Sequence, residues 1–420
     1  MSGEVNLRAN LARPYLAATT TPQVVYALIE LQPSQIVAQV RVPVNVCFVL
    51  DRSGSMKGEK IEQLRRATSL ALDRLDAQDR VAVVIFDHRT ELLVPTTLVT
   101  DRSAIRDRID RIRDAGGTRI APAVDLALRE MAQDRSGAIR RLLLLTDGQT
   151  EHENECLLRA DDAGKLGVPI TALGIGQDWN EDLLIEMANR SGGTADFISR
   201  PDAITDYFQH TVQQAQNSVV RNTTVNLRLV QGVTPRAVWQ VIPLITNLGY
   251  QPIADRAVSV PLGDLETGQG RTLLVELLVE PRAIGTYRVG QVETVYDIPA
   301  LGRVGEKSRL DLLLTFTADQ GQLNQVNAGV MNIVEKVSAF KLQTRALQDV
   351  AQGDLQGATQ KLKSAVTRLL NQGETALADT MQQEITNLEQ RGQLSSEGQK
   401  TIKFQGRKTV RLSDIDLPKE

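Results

Sequence analysis

Three short stretches carry oxygen donors at spacings that suit a hard cation. Asp51-Arg52-Ser53-Gly54-Ser55 puts a carboxylate and two hydroxyls at alternate positions. Thr118 follows the pair Gly116-Gly117, and Asp147 lies between Thr146 and Gly148. Alternation over 51, 53 and 55 lets one loop present three oxygens to a single point. Glycines at 54, 116, 117 and 148 allow tight turns and close backbone approach. Oxygen ligands suit Mg²⁺, Mn²⁺ or Ca²⁺ and not zinc. Mg²⁺ retains several waters and takes one or two protein carboxylates, which matches this sparse set. Asp51, Ser53, Ser55, Thr118 and Asp147 are therefore the candidate metal ligands.

Other chemistry for the same residues is weaker. Asp or Ser directly after a strand often caps the next helix, but that accounts for one loop and not for three. A dehalogenase-like phosphatase needs a second Asp two residues after the first, as general acid, and here that residue is Ser53. No GxxxxGK[ST] phosphate loop precedes a helix. A serine nucleophile needs a histidine partner, and the histidines are His88, His152 and His210. His152 follows Asp147 closely and reads as a solvated helix-start residue. Asp-x-Ser-x-Ser is not a nucleophile elbow. A metal-dependent hydrolase is the enzymatic alternative.

The elements that must position these loops are legible as patterns. Val44 to Leu50 is a near-continuous apolar run ending in Asp51, as expected of a buried parallel strand. Val81–Phe86, Arg141–Thr146 and Pro169–Ile175 are similar runs. Helical periodicity falls near 58–75, 101–113, 121–133, 152–166, 180–190 and 202–216, with a short strand near 194–199. Alternating strands and helices predict an α/β, doubly wound, mostly parallel Rossmann-like sheet. Ligands bind such sheets outside the carboxyl ends of the strands, where strand order reverses, and Asp51 and Asp147 both fall at such ends.

On either side the texture is different. Val24–Leu31 and Ile36–Val42 are β-branched runs separated by Pro33-Ser34, which predicts a hairpin. Residues 220 to 318 alternate with period two, as in Leu273, Val275, Leu277 and Val279 against Glu276 and Glu280, the pattern of an antiparallel β-sandwich. The N-terminal hairpin is expected to join that sandwich, with the α/β domain inserted into it. A helical segment follows, with apolar stripes at Val326, Val330, Ile333, Val334, Val337 and Phe340 and at Leu355, Ala358, Leu362, Ala365, Val366 and Leu369. Helices packed on the sandwich explain these better than a tetratricopeptide hairpin. The expected organisation is 1–42 sandwich strands, 43–217 the α/β domain, 218–320 the sandwich, 321–395 helices, and 396–420 a basic flexible tail.

Asp-x-Ser-x-Ser, then a Thr, then an Asp, with these flanking strands, resembles the metal-ion-dependent adhesion site (MIDAS) of von Willebrand factor A (VWA) domains. The resemblance covers roughly residues 42 to 216. It implies that Ser53, Ser55 and Thr118 contact the metal, that Asp51 and Asp147 hold it directly or through water, and that an acidic side chain of a partner protein completes the coordination. It implies a non-enzymatic, metal-dependent adaptor in protein–protein interaction, in a signalling or assembly complex. A substrate-recruiting subunit of an AAA+ ATPase, of the MoxR or chelatase type, is the alternative within the same resemblance.

The remaining features bound the setting. A net charge of −3 gives no field for nucleic acid. Two cysteines, Cys47 and Cys156, do not make a disulfide framework. The N-terminus lacks the apolar core of a signal peptide. No stretch approaches the roughly 20 apolar residues of a spanning helix. A cytoplasmic protein without direct membrane insertion is expected. In the tail, Arg407, Lys408 and Arg411 flank Thr409, a candidate phosphorylation site where a phosphate would add about −1.5 to −2 charges. Here the chain is similar to bacterial, notably cyanobacterial, VWA proteins associated with Ser/Thr kinases, PP2C-type phosphatases and forkhead-associated domains, which implies such partners.

Overall fold

A computed structural model of the chain describes residues 4–39, 41–254 and 256–411, with the side chain of Ala38 left aside. The chain forms two compact units. One comprises residues 35–222 with 298–304. The other comprises the stretches up to 34, 223–297 and from 305 onward. The first unit is thus inserted into the second along the chain.

The inserted unit is built on a six-stranded sheet. Its order is Thr90–Leu98, Arg80–Phe86, Val44–Asp51, Ile139–Thr146, Ile170–Ile175 and Thr194–Ile198. All neighbours pair in parallel except the first two. Every residue of Val44–Asp51 is buried, because helices cover both faces of the sheet and leave no polar side to the strand. Even-numbered Val46, Phe48 and Leu50 meet Leu64, Ala67 and Ala71 of helix Glu59–Arg74 and Phe208 and Val212 of helix Ile204–Asn217. The Phe48 and Phe208 rings stack with centroids 5.7 Å apart. Helices Ile120–Ala132, Glu153–Lys165 and Glu181–Ser191 line up against the opposite face. Chain order reverses between Val44–Asp51 and Ile139–Thr146, which are hydrogen-bonded neighbours.

The second unit is a two-sheet β-structure. One sheet has the order Val5–Leu11, Gln23–Pro33, Arg271–Val279, Val233–Ile242 and Thr246–Asn247. The other runs Gln251–Ala254, Ala257–Glu266, Ser218–Leu229, Gly285–Ile298, Arg303–Thr317 and Tyr15–Ala17. The N-terminal strands do join the sandwich: Gln23–Pro33 pairs antiparallel with Arg271–Val279. The hairpin partner is corrected, however. Val5–Leu11 pairs with Gln23–Pro33, whereas Gln35–Ala38 is a short helix. Val40, within the expected strand, lies outside the described residues. Pro33 ends the strand, and burial of Val37 beside an exposed Ile36 overrides the β-propensity of that run.

After a one-turn helix at Gln320–Leu323, four longer helices follow among the described residues: Ala328–Gln352, Leu355–Asn371, Thr375–Arg391 and Ser396–Gly406. Asn327 caps the first by accepting from the Val330 amide, which leaves Val326 outside the helix and part of its expected stripe exposed. Val330, Ile333, Val334 and Val337 pack on Leu28, Trp239 and Leu274 of the first sheet. The Glu276 face of strand Arg271–Val279 is therefore covered, and Glu276 pairs with Lys341 at 3.0 Å.

The expected flexible tail is a second correction. Residues 396–406 are helical, with Ile402 and Phe404 buried. Ile245 donates its amide to the Arg407 carbonyl at 2.8 Å, and Arg407 Nη2 donates to Thr246 Oγ1 at 2.7 Å. Arg407 is an anchor to the sheet end rather than part of a solvated face, whereas Arg411 is exposed. Residues 412–420 of that stretch lie outside the described residues.

Candidate metal centre

The first loop leaves the sheet at Asp51. Asp51 Oδ1 accepts from the Ser53 amide at 2.7 Å, bending the chain back so that the Ser53 and Ser55 hydroxyls come within 3.0 Å of each other. Asp147 leaves the neighbouring strand, and its Oδ1 accepts from Ser55 Oγ at 2.6 Å and from Ser53 Oγ at 3.4 Å. Thr146 donates to Asp51 Oδ2 at 2.6 Å, tying the two strand ends together through their side chains. The second loop is pinned by backbone bonds: the Gly54 amide donates to Gly116 O at 3.0 Å, and the Ala115 amide to Arg52 O at 2.7 Å. Gly116 needs its glycine, since its φ is +50° and a Cβ there would lie 2.0 Å from His88 Nδ1.

Thr118 enters from this second loop. A Cβ on Gly148 would stand 3.1 Å from Thr118 Oγ1 and 3.9 Å from Ser55 Oγ, so the glycine keeps the space between the loops open. The three loops thus converge, and Asp51, Ser53, Ser55, Thr118 and Asp147 gather at the point where strand order reverses. Asp51, Ser53 and Asp147 are buried, whereas Gly54, Ser55 and Gly117 are exposed. The cluster is closed on the sheet side and open on the loop side.

Burial pushes the Asp51 carboxyl up to about 6, against the opposing effect of hydrogen bonds from Thr146 and Ser53, and the charge of Asp147 adds to the rise. Two adjacent buried carboxylates call for positive charge. Lys60, in the first turn of helix Glu59–Arg74, supplies some of it through Nζ, 2.5 Å from Asp147 Oδ2. The donor set fits a hard divalent cation: it is all oxygen, with two carboxylates and three neutral hydroxyls. Among the described residues, no group of three or more His, Cys, Asp and Glu side chains gathers in a form that could hold a metal. Hydroxyls, which supply most of these donors, belong to no such group.

Sequence reasoning missed three supporting contacts. Thr146 was part of the motif, but its bond to Asp51 joins residues distant in the chain. Lys60 left a faint signal, a cation in the first helical turn, where the helix dipole disfavours it. Arg52 pairs with Asp87 at 2.8 Å, and Asp87 also meets His88 and accepts the Arg89 amide, building the wall beside the second loop. His152 is exposed and starts its helix with φ +59° without capping it through its side chain. His210 is also exposed and lies in helix Ile204–Asn217.

Thr409 is not part of any exposed segment. It is 4% exposed, its hydroxyl donates to Gly406 O at 3.2 Å, and its carbonyl accepts from Lys336 Nζ at 2.7 Å. A kinase could not reach it in this fold, which corrects the expectation of phosphorylation.

Comparison with known proteins agrees with the architecture. Residues 45–213 match the von Willebrand factor type A domain model, and residues 328–412 match the Sll0103-like C-terminal alpha-helical domain. The chain is 30% identical over 375 residues to protein sll0103 of Synechocystis, covering 88% of this chain and 89% of that one. It is 24% identical over 384 residues to the E3 ubiquitin-protein ligase WAV3 of Arabidopsis thaliana, of which it spans 47%. Among solved structures it is similar in fold to a von Willebrand factor type A protein from Catenulispora acidiphila, with TM-score 0.82, 21% identity and 97% of each chain covered. With a VWA sheet at its centre and an Sll0103-like helical domain at its end, the chain belongs to the von Willebrand factor type A family.

Proposed function

We propose that Asp51, Ser53, Ser55, Thr118 and Asp147 hold a divalent cation, Mg²⁺ in the first place and Mn²⁺ or Ca²⁺ by the same chemistry. Through it the protein binds another protein, without catalysing a reaction. The observation that carries this reading is the meeting of Ser53, Ser55 and Asp147 oxygens within 2.6 to 3.4 Å at an open-sided sheet end. Two carboxylates at most neutralise a dication, and contact through water leaves it under-compensated. Three hydroxyls add no charge that would repel an incoming acid. An Asp or Glu side chain of the partner is the natural last ligand, reached from the exposed side of Ser55 and Gly117.

No helix among the described residues is long and apolar enough to cross a membrane. We place the protein in the reducing cytoplasm, a reading supported by two buried free thiols, Cys47 and Cys156. A signalling or assembly complex is the setting this implies, with kinase, PP2C phosphatase or forkhead-associated proteins as candidate members. Thr409 has no part in it.

The test is capture of partners with Mg²⁺ against EDTA, using the wild type and Ser53→Ala/Ser55→Ala. A specific partner should appear with Mg²⁺ and be lost, by at least about tenfold, with EDTA or in the variant. A partner indifferent to both changes removes the metal from the mechanism.

A further inference from the structure

The residue in the site that the metal reading does not use is Lys60. Its ammonium lies 2.5 Å from Asp147 Oδ2, while Asp147 Oδ1 is occupied by Ser55 Oγ at 2.6 Å. Both oxygens of this buried carboxylate are therefore engaged from within the chain. The position of Lys60 is built rather than incidental. It sits in the first turn of helix Glu59–Arg74, where a positive charge opposes the helix dipole and would otherwise be disfavoured. Its side chain is 29% exposed and passes Gly176, whose absent Cβ would lie 3.6 Å from Nζ and 3.9 Å from Cε. Gly176, just past strand Ile170–Ile175, holds φ +76°, and even a Cβ there would make only ordinary van der Waals contact with the lysine, so Lys60 lies alongside this turn on its way to the aspartate.

We infer that Lys60 is an internal counter-cation of the metal centre: it holds Asp147 when no metal is bound and competes with the divalent ion for that carboxylate. The inference rests on the metal reading above and adds a control to it. An ion entering the cluster must draw on Asp147, whose negative charge Lys60 already neutralises. Two cations close to one carboxylate repel each other strongly in a partly buried setting. Loading then works against the hold of Lys60 on Asp147, which lowers metal affinity in the free protein. An acidic group from a partner offsets both positive charges, so partner and metal favour each other's binding. The site is tuned to be filled with its partner rather than before it.

Mn²⁺ binding to the whole 420-residue chain, followed by the paramagnetic resonance of free Mn²⁺, tests this. Lys60→Met and Lys60→Gln, which drop the charge, should each tighten Mn²⁺ binding by at least about tenfold, while Lys60→Arg, which keeps it, should stay within about threefold of the wild type. Without metal, Lys60→Met should melt earlier than the wild type, and Mn²⁺ should raise its melting temperature by more. Neutral variants that are folded by circular dichroism yet bind Mn²⁺ no tighter than the wild type overturn the inference and leave the metal reading standing. If no variant binds Mn²⁺, or binding survives Ser53→Ala/Ser55→Ala unchanged, the metal reading fails and this inference falls with it.

Discussion

Glu30 shows how a single residue ties stability to pH. It lies in strand Gln23–Pro33, opposite Arg8 on one side and Thr272 on the other. It is buried, and its Oε1 and the Thr272 hydroxyl have no hydrogen-bond partner. Burial pushes its carboxyl up from 4.5 to about 7, with Arg8 pulling weakly the other way. At pH 4 the group is protonated folded and unfolded, so it costs nothing. Between 4.5 and 7 the unfolded chain sheds the proton while the folded chain keeps it, and stability falls as pH rises. Above pH 7 the loss is complete, at about 2–3 kcal/mol. Denaturant titrations at pH 5 and pH 8 should show this difference in the wild type and not in Glu30→Gln. Equal pH dependence in the two proteins would refute the assignment. The proposed metal donors were legible at this same scale, because each loop is a contiguous motif whose residue types announce oxygen coordination. Partners of those donors were not, because Lys60 reaches Asp147 and Thr146 reaches Asp51 only through the fold.

At the scale of elements, strong periodicity was legible and weak edges were not. Helix Glu59–Arg74 and strand Val44–Asp51 were expected within a residue or so, since full burial imposes an unambiguous pattern. Strand Thr90–Leu98 was missed: it is an antiparallel edge with Pro95 inside it and few buried side chains, so neither alternation nor an apolar run marks it. The C-terminal stretch misled in the opposite direction. Its basic residues suggested solvent, yet Lys400 and Arg407 are buried, Arg407 bonds to Thr246, and the buried Thr409 accepts from Lys336 of helix Ala328–Gln352. Ending the chain after residue 395 should therefore be costly. It removes the buried side chains of Ile402, Phe404 and Val410, each worth about 2 kcal/mol. The melting temperature of the sandwich and its helices should drop by about 10 °C or more. An unchanged midpoint would mean that helix Ser396–Gly406 is dispensable after all.

For the whole molecule, insertion divides stability from function. Strand Gln23–Pro33 is interior to its sheet, held by Val5–Leu11 on one edge and Arg271–Val279 on the other. Ala27 pairs with Val275, so the sheet closes only after the whole inserted unit has been made. A folded insert lowers the entropy of that closure, because it replaces a long flexible loop with a structured one. Every proposed metal donor, and Lys60, lies within residues 35–222. A chain lacking residues 1–34 should then lose the sandwich, baring strand Arg271–Val279 to aggregation, while the fragment 35–222 should still bind Mn²⁺ within about threefold of the full chain. Limited proteolysis of the first and Mn²⁺ titration of the second separate the two roles. If the truncated chain resists protease as the wild type does, the N-terminal strands are ornament and the insertion has no structural meaning. If the fragment is folded but binds Mn²⁺ far more weakly, the sandwich shapes the site. The VWA loops would then not be self-sufficient, although every hydrogen bond found among their donors lies within the inserted unit.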